Sequence, residues 1–77
     1  MDFREATDAL FQRVDQEKLA QKLGVSIASI RQARLRPDAA AHRTPPSNWR
    51  DAVIKLAEEQ ERLYRELMDR LRTDTAH

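Results

Sequence analysis

The chain contains no cysteine, so neither a disulfide nor a thiolate metal site can brace it. Its two histidines, His42 and His77, stand far apart in sequence, and no metal site is expected from them. His42 reads as a loop residue. Glycine occurs once, at Gly24, which excludes a glycine-rich phosphate loop. With no cysteine nucleophile and no carboxylate–histidine cluster at metal spacing, no enzyme is expected, and no cofactor or small-molecule ligand is evident. Apolar residues nowhere run long enough to span a bilayer, and Asp2, Arg4, Glu5 and Asp8 interrupt the stretch where a secretory signal would lie. A soluble, cytoplasmic protein with no membrane partner is expected.

What remains is rich in Ala, Leu, Glu, Arg and Gln, a composition that favours helix. The expectation is an all-α fold. At 77 residues there is room for one small core, marginal by itself, so support from a partner subunit is expected. The formal net charge of +1 is unevenly spread. Residues 16–37 carry five bases against one acid, whereas residues 1–15 and 51–77 are both net acidic.

Four helices are expected. The first starts after Asp2, with Glu5 three residues on as in a capping box, and runs to near Arg13 with Phe3, Leu10, Phe11 and Val14 on one face. Asp15 is a candidate cap for a second helix, 16–23, in which Leu19 and Leu23 share a face with Ala20. Gly24 follows at the point where a chain leaves a helix through a left-handed conformation. Ser26 caps a third helix from Ile27 to about Leu35, with Ile30 and Ala33 inward and Pro37 as its stop. All three prolines lie in the loop 37–48. Ser47 or Asn48 then caps a last helix, 49–71, striped by Trp49, Val53, Leu56, Gln60, Leu63 and Leu67.

Two short helices joined by a three-residue turn with glycine form a helix-turn-helix. The small Ala20 at the crossing, Gly24 in the turn, Val25 as a plug, and Leu19, Leu23, Ile30 and Ala33 in the shared core all agree in register. The stretch QEKLAQKLGVSIASIRQAR resembles the central motif of the phage repressor and Cro family of helix-turn-helix regulators. SNWRDAVIKLAEEQ is similar to the final helix of small phage- and plasmid-borne regulators, among which those encoded beside anti-CRISPR genes share the plan. The resemblance implies a lambda-repressor-like bundle of about four helices spanning residues 1–77, with residues 26–35 in the DNA major groove. It further implies a phosphate contact for Gln16, which opens the preceding helix.

The residues themselves point the same way. Beyond Ile30 and Ala33, the third helix and its flanks offer Ser26, Ile27, Ala28, Ser29, Arg31, Gln32, Arg34 and Arg36, with no acid among them. Arginine can grip guanine, glutamine can pair with adenine, and Ile27 or Ala28 can meet a thymine methyl. A merely solvated helix face mixes signs, as residues 58–72 do. Arg43 is a further DNA-binding candidate, and Lys18, Lys22 and Arg50 are possible phosphate contacts; Asp38 fits a DNA-facing loop poorly.

The last helix, about 35 Å long at 1.5 Å per residue, exceeds what three short helices can cover. Leu63, Tyr64, Leu67, Met68 and Leu71 are therefore expected to form a projecting dimerisation stripe; the alternative is a helix folded wholly against its own domain. The function expected is a homodimeric, sequence-specific DNA-binding transcription regulator, a repressor on a two-fold operator of double-stranded DNA. The alternative is a protein-interaction module on a helix-turn-helix scaffold, such as an antitoxin or a phage assembly component.

Overall fold

The computed structural model describes residues 1–75, and among them are four α-helices and no strand: α1 (Phe3–Leu10), α2 (Gln16–Leu23), α3 (Ile27–Ala33) and α4 (Trp49–Thr75). The all-α expectation holds. The domain expected over 1–77 includes residues 76 and 77, which lie outside the described residues.

α1 starts as the sequence suggests, the Glu5 N–H donating to the Asp2 carboxylate at 2.8 Å. Thr7, fully buried, donates its hydroxyl to the Phe3 carbonyl at 2.8 Å, so its polar group costs the core nothing unsatisfied. The helix ends at Leu10 rather than near Arg13. Past Leu10 the chain tightens into shorter turns, with the Gln12 N–H on the Ala9 carbonyl and the Arg13 N–H on the Leu10 carbonyl. Val14 is thereby brought into the core and Asp15 into the extended geometry that opens α2. Asp15 holds the cap position by its backbone; its side chain makes no cap hydrogen bond, contrary to expectation.

α3 is likewise two residues shorter than expected, because the Arg34 N–H is shared between the Ile30 and Arg31 carbonyls and the Leu35 N–H turns to Gln32. α4 is longer, running past Leu71 to Thr75. Its first turn is closed by the Asn48 carbonyl, which accepts the Ala52 N–H at 3.2 Å.

The core gathers Phe3, Leu10, Val14, Leu19, Ala20, Ile30, Ala33, Ala52 and Leu56 from all four helices, with Phe11, Leu23, Val25, Ile27, Trp49 and Val53 half-buried around it. Phe3 and Trp49 meet edge to face, centroids 5.3 Å apart, fastening the start of α1 to the start of α4. Leu56 is the last buried residue of α4. From 61 to 74 every residue is exposed, and the molecule extends 59 Å along one axis against 20 and 17 Å across. The distal half of α4 therefore does not fold back on its own domain.

Candidate nucleic-acid interface

The turn that sets α3 in place depends on one residue. Gly24 has φ 69° and ψ 32°, the only positive φ among the described residues. Its N–H stays on α2, while the Val25 N–H reaches back to the Ala20 carbonyl at 3.0 Å, the pair of bonds that closes a helix around a left-handed residue. Val25 then packs on the core. Ser26 accepts the Ser29 N–H at 3.1 Å and lies 3.0 Å, hydroxyl to hydroxyl, from Ser29, so α3 begins capped.

Ile30 and Ala33 face inward, and the opposite side of α3 presents the exposed Ala28 and Arg31 with Gln32 half-buried beside them. Arg31 has no ion-pair partner among the described residues. Leu35, just past the cap of α3 at Arg34 and 41 % exposed, borders a cleft with Phe3, Ala33 and Trp49 behind the helix.

Several expected contacts are placed elsewhere. Arg34 was expected among the outward residues; instead its guanidinium is ion-paired to Asp8 of α1 and lies over the Phe11 ring, 5.1 Å from the centroid. It clamps α3 to α1. Ile27, expected to be available to a thymine methyl, is half-buried against the core, which leaves Ala28 as the exposed apolar residue of α3. Ser29 is half-buried and occupied with Ser26. Arg36 is exposed and 3.5 Å from Asp38, which gives that acid a local role as the partner of a neighbouring cation.

The loop after α3 folds back on it. The Arg43 N–H donates to the Gln32 carbonyl at 3.3 Å, holding the exposed Arg43 beside the C-terminal end of α3. Behind that end lies a cleft of about 440 Å³ bordered by Arg4, Arg36 and Arg50 and by one acid, Asp2; Arg4 is not among the expected contacts. Arg50 stacks on Trp49 at 4.7 Å. Lys18 and Lys22 sit instead along the α2–α4 groove with Glu59. Gln16 opens α2 half-buried, with its Oε1 out of solvent and without a partner.

The cationic groups thus gather at the C-terminal end of α3, and the exposed face of that helix carries no acid. Among the described residues no cluster of acids and histidines could hold a metal ion, and no helix is long and apolar enough to cross a membrane. Compared with known family models, curated proteins and solved structures, the chain gives no match.

Proposed function

We propose that this chain is a homodimeric, sequence-specific DNA-binding regulator of the phage repressor type, a repressor acting in the cytoplasm on a two-fold operator. The observation that carries the reading is the acid-free outer face of α3, where Arg31 stands exposed near Ala28 with no ion pair among the described residues, on a helix capped by Ser26 at its start and clamped to α1 through Arg34 at its end. The major groove, about 12 Å wide, admits an α-helix, about 10–12 Å in diameter with its side chains, and the 7 residues of α3 would run about 10 Å along it. Arg31 would take the two acceptors of a guanine, Gln32 an adenine, and Ala28 a thymine methyl. Arg36 and Arg43 would take phosphates at the groove lip, fixing register and making affinity fall with salt. A two-fold pair of such helices reaches the affinity that one short helix lacks.

The test uses the DNA immediately upstream of the protein's own coding sequence. Arg31→Ala and Gln32→Ala should each weaken binding by about 1–3 kcal/mol, roughly 5- to 150-fold, while Arg62→Ala on the far part of α4 leaves it unchanged. Tight binding that ignores both α3 substitutions would overturn α3 as the reading helix, and a wild-type protein that does not bind this DNA would instead leave the chain a protein-interaction module.

A further inference from the structure

We propose that two copies dock antiparallel through α4, each seating the leucine ridge of its distal half in a hollow between α1 and α4 of the other. This deepens the dimer in the reading above and rests on it.

The hollow, about 410 Å³, is floored by Ala6, Ala9, Leu10, Val53 and Ala57 and closed at one end by Tyr64. Alanine side chains stop short there. The ridge is the reverse: Leu63, Leu67, Met68 and Leu71 stand 46–55 % exposed beyond the last buried residue that α4 shows. Hollow and ridge share one seam, since Val53, Ala57, Gln60, Tyr64, Leu67 and Leu71 follow one another at alternating steps of four and three. That seam is small at one end and large at the other.

Its asymmetry decides the direction. Parallel pairing would set leucine on leucine at one end and face two alanine hollows across a void at the other. Antiparallel pairing about a two-fold near residue 62 puts the partner's Leu67 against Ala57 and the partner's Leu71 against Val53. The same contact then repeats with the copies exchanged, as a closed two-fold interface requires. Arg13, on the rim of the hollow, has no ion pair among the described residues, and Glu61, near the two-fold, is already paired with Arg65 at 2.7 Å.

Because the chain has no cysteine, engineered thiols report this contact alone. Ala57→Cys and Leu67→Cys proteins, each first checked for unchanged helicity, are oxidised mildly alone and then mixed. The mixture should give a disulfide-linked dimer, whereas neither variant should crosslink with itself. Leu67→Cys crosslinking alone would show parallel pairing, overturning the docking while leaving a DNA-binding dimer standing. No crosslink in the mixture, with the wild-type protein sedimenting as a dimer, overturns it equally, and a wild-type protein sedimenting only as monomer at about 100 μM removes the dimer from both readings.

Discussion

At the scale of single residues, two arginines on one helix have parted company. Arg31 is exposed and unpaired, whereas Arg34, three positions on, is tied to Asp8 and laid over Phe11. Arg34→Ala should therefore cost stability, about 1 kcal/mol from a partly exposed ion pair and a cation–π contact, visible as a lower Tm. Arg31→Ala should leave Tm within the scatter of surface substitutions and lower DNA affinity instead. No local pattern marks the Arg34 contact, because Asp8 lies 26 residues away. Gly24 is the reverse case. A Cβ there would meet nothing within 4 Å, so the whole penalty of a substitution comes from the positive φ. Gly24→Ala should lose about 1–2 kcal/mol and Gly24→Val more, by thermal unfolding, with DNA binding falling alongside as α3 shifts. Leu19, fully buried, sets the upper bound: Leu19→Ala should cost about 2–5 kcal/mol, much of what a domain this small possesses.

At the scale of elements, the helices differ in what their far ends do. α1 and α3 both finish in tightened turns earlier than their apolar spacing suggests, and α4 runs on past its last leucine. These ends were the least legible features, since shared N–H groups at a helix terminus follow from how the next segment must enter the core. The starts were clearer: Asp2, Ser26 and the exit at Gly24 stand where their side-chain or backbone chemistry demands. The inward pattern of Leu19, Ala20, Ile30 and Ala33 was equally plain. What sequence could not supply was the division of α3 between a clamped flank and a free face, which depends on α1 and on the returning loop at Arg43. Distal α4 yields its own prediction. As Leu67 lies beyond the core and is 51 % exposed, Leu67→Glu should leave the helical content and the dilute-solution Tm unchanged, yet abolish the rise of Tm with protein concentration that a dimer shows.

At the scale of the whole molecule, a core drawn from four helices sits at one end of a rod 59 Å long, and the rest of the rod is bare helix. A small core and an uncovered apolar stripe in one chain have a common remedy in a second copy, which covers the stripe and duplicates α3. Reading half-sites with two short helices demands that the pair be held at a fixed separation, and the paired α4 helices would supply it. The measurement closest to the centre of this account is a hydroxyl-radical footprint of the protein on the DNA upstream of its coding sequence. We predict two protected half-sites centred about 34–36 Å apart, related by a two-fold axis and both lost in Arg31→Ala. One unbroken protected patch without symmetry, or protection that survives Arg31→Ala unchanged, would contradict it.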